Sequence, residues 1–266
     1  NAFKGQYYIQ SDESNQVSAG DWIKLFQQDD DLVTSSWALN SVGQIVKVSN
    51  VIGDTILLES ALRMDFAIQK APRFKKMQMK SNVGIECLKL LRLDDAAPEQ
   101  ASNFAFRYAS NCWLKNVESE NCTFSHVVAE NASNLKIGRS YFHHGFDYGG
   151  GGRAYGVSLQ FTTNECLIED NIFEHLRHSM LLQAGPNGNV FSYNFSTDPY
   201  WTSSNPIIPS DAAGDMVLHG NYPFANLFEQ NSGQNIVIDN SHGANGPHNT
   251  FLRNRASLFG IFFSDA

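Results

Sequence analysis

The sequence predicts an all-β chain wound into a parallel β-helix, with coils of about 23 residues broken by loop insertions. Three observations carry that expectation: a short Asn-terminated phrase recurring at a fixed period, a composition rich in Asn and poor in charge, and strand-length apolar runs bounded by turn residues.

The phrase is six residues long. It runs from Asn111 to Asn116, Cys166 to Asn171, Asn189 to Asn194, Asn226 to Asn231 and Asn249 to Asn254, with a degenerate copy from Asn134 to Arg139. Its final positions are separated by 23, 32, 23, 37 and 23 residues, which reads as one period with insertions of 9 and 14. A second phrase follows within the period, at His126 to Asn131, Tyr155 to Gln160, His178 to Gln183 and Asn235 to Asn240. Each coil therefore holds at least two short strands. Coils of a solenoid stack at the inter-strand spacing, about 4.8 Å, so equivalent residues form ladders along the axis. Asn suits such ladders because it tolerates left-handed turns and its side-chain amide bonds to the amide above or below. An antiparallel sandwich or propeller would favour Asn-Gly hairpin turns, and only Asn187-Gly188 and Asn245-Gly246 occur.

Composition narrows the class further. Of 25 Asn, 20 lie after residue 100, while 42% of the chain is apolar and 17% charged. The apolar share excludes disorder, and the absence of an apolar run of about 18 residues excludes a membrane span. A net charge of −8 argues against nucleic acid as a partner. The surplus of Asn, Gly, Ser and Thr argues against a helical bundle.

Residues 1–75 read as an N-terminal β-rich segment or irregular first coils, with alternating strands at Asp21 to Phe26, Gly43 to Val48 and Asp54 to Glu59. Asp29, Asp30 and Asp31 form an acidic run that reads as a solvated loop. Ca²⁺ is the alternative there, but no ligand motif supports it, so no metal and no other cofactor is expected. Residues 67–76 read as a connector, and residues 76–266 as the β-helix. Of four cysteines, Cys87, Cys112 and Cys166 lie in apolar runs and read as buried small hydrophobes. The run from Leu258 to Phe263 is so apolar that the natural chain is expected to continue, or a further domain or surface protein to cover this end.

The stretch from about Met77 to Phe263, and above all Cys166 to Asn194, resembles the right-handed parallel β-helix proteins of the pectate-lyase-like (pectin lyase fold) superfamily, secreted bacterial type. The resemblance implies an extracellular or cell-surface protein whose partner is a polysaccharide or glycan. That superfamily includes polysaccharide lyases and hydrolases, phage tailspikes, adhesins and epimerases. No catalytic signature of one family is present, so the resemblance speaks to fold more than to reaction.

Chemistry is expected at the first insertion, where His143, His144, Asp147 and Tyr148 lead into Gly149 to Gly152, then Arg153 and Tyr155. Four consecutive glycines cannot pack a core and suit free turning or close approach to a ligand. Counting four beyond each ladder position gives Glu120, His143, His175, Asp198 and Asn235, which places His143 one coil, about 5 Å, from His175. Arg177 and His178 lie just beyond. A lyase acting on a uronic-acid polymer needs a cation for the carboxylate and a base for the C5 proton. Arg153 and Arg177 are candidates for the first role, and His143, His175 or Tyr148 for the second. A glycosidase, the lesser expectation, would use Asp147 with Glu174 or Asp198. His144, His178, Tyr155, Tyr200 and Trp201 are candidate substrate contacts, the last two on the stiff second insertion. The plainer reading of the same histidines is a structural ladder, and the alternative function is a non-catalytic glycan- or protein-binding surface module.

Overall fold

The computed structural model describes all residues except 96–100, 203–206, 208 and 265–266. It is built from short strands and four three-residue 3₁₀ turns among the described residues. Every strand pair from Lys80 onward is parallel, each turn of chain adding one strand to each of three faces.

The first face holds Gly84–Glu86, Trp113–Lys115, Lys136–Gly138, Leu167–Glu169, Val190–Ser192, Leu227–Glu229 and Thr250–Leu252. The second holds Lys89–Leu91, Glu118–Glu120, Tyr141–His143, Ile172–Glu174 and Phe195–Thr197. The third holds Phe104–Arg107, Ser125–Glu130, Tyr155–Gln160, His178–Leu182 and Gly214–Leu218. Ser232–Asp239 runs across both the second and third faces, and Arg255–Ser264 closes the stack against it.

Alternation along each strand puts one row inward. Leu114, Ile137, Ile168, Phe191, Phe228 and Phe251 are successive partners on the first face, and Val127, Val157, Met180, Met216 and Ile236 on the third. Both rows pack the central core, with Phe142 and Phe173 between them. Phe191, Phe228 and Phe251 stack nearly parallel, with centroids 4.9 and 4.7 Å apart. Such a pair contributes about 0.5–1.5 kcal/mol beyond the area it buries.

The register corrects part of the repeat. Lys115, Gly138, Glu169, Ser192, Glu229 and Leu252 are successive partners, so the steps are 23, 31, 23, 37 and 23 and the first insertion is 8 residues, not 9. Asn116 and Arg139 consequently fall one place ahead of Asn171, Asn194, Asn231 and Asn254. They share a left-handed turn row with Asp170, Tyr193, Gln230 and Arg253, all with φ between 53° and 56°. The next position carries the ladder. Asn171 Nδ2 donates to Asn194 Oδ1 at 3.0 Å, Asn194 to Asn231 at 2.9 Å, and Asn231 to Asn254 at 2.9 Å. A second ladder, Asn189 to Asn226 to Asn249, repeats the pattern at 3.0 Å per step.

The N-terminal strands form a separate antiparallel sheet in the order Tyr8–Gln10, Thr55–Leu58, Gly43–Ile52, Trp22–Phe26, Arg73–Met77. Part of the expected connector is therefore an edge strand. The sheet is tied to the solenoid by Asn164 Nδ2 donating to the Ile45 carbonyl at 2.7 Å, Asn187 Nδ2 to Gly43 at 2.9 Å, and an Arg63–Glu165 ion pair. At Gly185, φ is 78° and a Cβ would lie 2.1 Å from the Ser41 carbonyl oxygen, so only glycine permits this approach. Asp29 is buried, accepting the Asn40 and Val42 amides at 2.8 and 3.0 Å, which makes it a loop clamp and not part of a solvated run. All four cysteines are free thiols, and Cys87 is exposed in a left-handed turn, contrary to its apolar surroundings in sequence.

Candidate functional site: a cleft on the third face

Beyond the inward residues Leu159, Leu182, Leu218 and Ile238, the chain presents Gln160, Gln183, His219 and Asp239. His219 Nδ1 donates to Asp239 Oδ2 at 2.8 Å, and both side chains are buried. Burial alone would raise the Asp239 carboxyl. The His219 hydrogen bond, with the Ser241 amide 3.0 Å from Oδ1, outweighs it and holds the group below its ordinary value. Asp239 is thus an anion that fixes the imidazole, leaving His219 Nε2 as the nitrogen for chemistry.

The His178 ring lies 5.6 Å from His219 and 5.0 Å from Tyr155. Burial, with the neighbouring Arg177 charge, pushes His178 well below 6.5, so it is neutral. His242 lies 4.9 Å from His219 and is lowered for the same leading reason. The Arg177 guanidinium sits 5.8 Å from the rings of both Tyr155 and Trp201, within reach of a weak cation–π contact. Its Nη1 donates to the carbonyls of Gly149, at 2.8 Å, and Gly151. That accounts for the glycine run: the loop folds its carbonyls onto Arg177, and Gly151 has φ of 80°. Arg177, His178, Trp201, His219 and Asp239, together with Phe259, line a cleft of about 620 Å³, and Tyr155 packs beneath it against His178. Two buried donors there, Arg177 Nε and Trp201 Nε1, have no hydrogen-bond acceptor among the described residues.

No protein-family model matches the chain, and no curated protein matches it. Among solved structures it is similar to the tailspike gp61 of Pseudomonas phage phi297, at 11% identity and a TM-score of 0.49 over 99% of this chain and 53% of that one. It is also similar to the gp54 tailspike of Acinetobacter baumannii bacteriophage AP22, determined in complex with A. baumannii capsular saccharide, at 12% identity and a TM-score of 0.42 over 100% of this chain and 52% of that one. The tailspike gp49 of Pseudomonas phage LKA1 aligns at 11% identity and a TM-score of 0.33 over 100% of this chain and 62% of that one. The chain spans about half the length of the first two tailspikes.

The two insertions touch, with Thr202 N–H donating to the Tyr148 carbonyl at 3.1 Å and the Tyr148 and Tyr200 rings 5.1 Å apart. The residues expected to form one site fall into two clusters. Arg177, His178 and Trp201 line the cleft, with Tyr155 packed against the first two. His143, His144, Tyr148, His175 and Tyr200 gather in a second, aromatic cluster. There His175 stacks on Tyr200 at 4.9 Å and holds Asp198 through Nδ1 at 2.7 Å, with Tyr148 edge-on to both rings. Asp147 and Arg153 pair with each other at 3.3 Å.

The expected pairing of His143 with His175 is incorrect. His143 pairs with Glu174, and it is His144 that stands 5.2 Å from His175. The one-place register error at Asn116 and Arg139 is the reason. His143 stacks on Tyr141 at 4.2 Å and is 3.3 Å from Glu118. Glu118, Glu120 and His143 bring three ligand atoms within 4.8 Å of one another. Lys89 Nζ, however, lies 2.8 Å from each carboxylate, so an ammonium already meets that charge. Of the second insertion, 203–206 and 208 lie outside the described residues. The sequence reading missed His219 and Asp239, although aligning Gly214 to His219 with the second phrase would have put His219 in the row of Gln160 and Gln183.

Proposed function

We propose that this chain binds polysaccharide in the third-face cleft and cleaves it by β-elimination at a uronate unit, as an extracellular or cell-surface protein. The observation that carries this reading is the buried His219–Asp239 pair in a cleft that Arg177 and Trp201 also line. An aromatic face such as that of Trp201 stacks on a sugar ring, and the Arg177 guanidinium suits a uronate carboxylate. His219 Nε2 takes the C5 proton, the electron pair forms the C4–C5 double bond, and the C4–O bond breaks. The imidazolium then returns the proton to the leaving oxygen. Asp239 stays ionised and supports the transient imidazolium. A two-carboxylate hydrolysis finds less support, because Asp239 is the only carboxylate among the described cleft-lining residues.

The test is incubation with a panel of uronic-acid polymers while following ultraviolet absorbance of the unsaturated product. Release by the wild type and its loss in His219→Ala support the reading, and an unaltered rate in the variant rejects it. Binding without turnover would favour the non-catalytic module. The exposed Ile261 and Phe263 side chains on Arg255–Ser264, which suit a protein partner, support that second reading.

A further inference from the structure

Between the edge strand Arg73–Met77 and the turns that follow the third-face strands runs a groove of about 940 Å³. Six cations line it, Lys24, Arg73, Lys75, Lys76, Lys80 and Arg107, and no carboxylate does among the described residues. In a chain of net charge −8 this is a local reversal of sign. Two of the six are matched from the rim, Arg107 by Glu130 at 2.6 Å and Lys76 by Asp21 at 2.7 Å. Lys24, Arg73, Lys75 and Lys80 have no carboxylate partner among the described residues.

Their crowding is imposed by pairing. Lys24 stands opposite Lys75, and Phe26 opposite Arg73, in the antiparallel register. Lys24 Nζ is held by Asn131 Oδ1 at 3.0 Å. Burial first, and the Lys75 charge with it, pull Lys24 down to about 8 against the pull of Asp29. Like charges across a strand pair oppose folding, and a bound anion relieves them.

We propose that this groove is a second saccharide-binding site, one that holds an anionic stretch of the glycan away from the cleft. The inference rests on the polysaccharide reading above. Asn40, Gln78 and Asn131 supply amides for sugar hydroxyls between the cations. Nucleic acid fits less well: Arg73 already covers the Phe26 ring at 5.1 Å, and the acidic remainder of the chain opposes so dense a polyanion. A polar row joins groove to cleft. Arg107, Glu130 and Gln160 are registered partners, Gln183 Nε2 donates to Gln160 Oε1 at 3.1 Å, and His219 is the next rung. Four rungs are roughly 20 Å at the inter-strand spacing, a span that one extended saccharide can follow.

The experiment is calorimetric titration with polygalacturonate at low and raised salt, for the wild type, Lys75→Glu/Lys80→Glu and Trp201→Ala, with an oligo-dT strand as the competing polyanion. The expected result is salt-sensitive polygalacturonate binding that weakens at least tenfold in the double charge reversal, with a thermal melt no lower than that of the wild type. Lys75→Gln/Lys80→Gln replaces that variant if it fails to fold. Unaltered affinity in the lysine variant, or tighter binding of oligo-dT than of polygalacturonate, overturns the groove. Loss in Trp201→Ala alone leaves the cleft reading standing and rejects this one. Loss in the lysine variant alone does the reverse.

Discussion

At the scale of single residues, burial decides protonation. His126 is fully buried, with Nε2–H donating to the His144 carbonyl at 3.0 Å and Nδ1 accepting from the Ser119 hydroxyl at 2.8 Å. Burial is the main cause of its fall to about 3, helped by the nearby His143 and His144 charges and opposed by the carbonyl bond. The unfolded chain binds this proton below about 6.5 and the folded chain does not until about 3, so the group's contribution to stability is lost as pH falls through that window. His126→Asn should therefore lose less stability than wild type between neutral pH and pH about 4 in urea unfolding. At the cleft, His219→Ala should lower kcat on the order of 10²–10⁴-fold, the range for a positioned base. Asp239→Asn should shift the pH profile of kcat with little change in KM, because Asp239 positions the base without touching substrate.

At the scale of elements, the Asn ladders explain a composition that first looks merely polar. Asn194 Oδ1 accepts from the backbone N–H and Nδ2 of Asn171, while its own Nδ2 reaches Ile168 and Asn231. Asn194→Ala leaves buried donors and acceptors unmatched, at about 1–3 kcal/mol per group. The exposed turn residue Asn116 has a left-handed φ and one weak side-chain bond, Nδ2 donating to Cys87 Sγ at 3.8 Å, so Asn116→Ala should cost about 1–2 kcal/mol. Guanidinium unfolding of the two variants should rank them in that order. The period was legible in the sequence because buried amides admit few substitutes. The offset was not, because the turn row accepts Asn, Arg, Asp, Tyr and Gln alike, and Asn suits both rows. That ambiguity moved His143 opposite His175.

At the scale of the whole molecule, the antiparallel sheet and the solenoid act as one body. Gly185→Ala adds both a strained φ and a clash with the Ser41 carbonyl, and should cost about 1–3 kcal/mol. Limited proteolysis should then cut between the two parts faster than in wild type. The cleft and the basic groove also belong to this scale, since each is closed by segments far apart in sequence. His219 lies beyond a 14-residue insertion that hides its place in the repeat, and Asp239 is its partner 20 residues later. Lys24 and Lys75 meet only because their strands pair.

The sequence by itself determined that the chain is all-β, that it coils in parallel, and that its Asn residues recur at a ladder period, because periodic side chains must meet periodic neighbours one inter-strand spacing away. It also pointed to the glycine loop and Trp201 as candidates for a site. Only the tertiary structure decided which Asn residues stack, that the expected site residues fall into two clusters, that Arg177 holds the loop, and that His219 and Asp239 form the buried pair. Those are contacts between insertions and different coils, and a local period carries no information about how an insertion folds back.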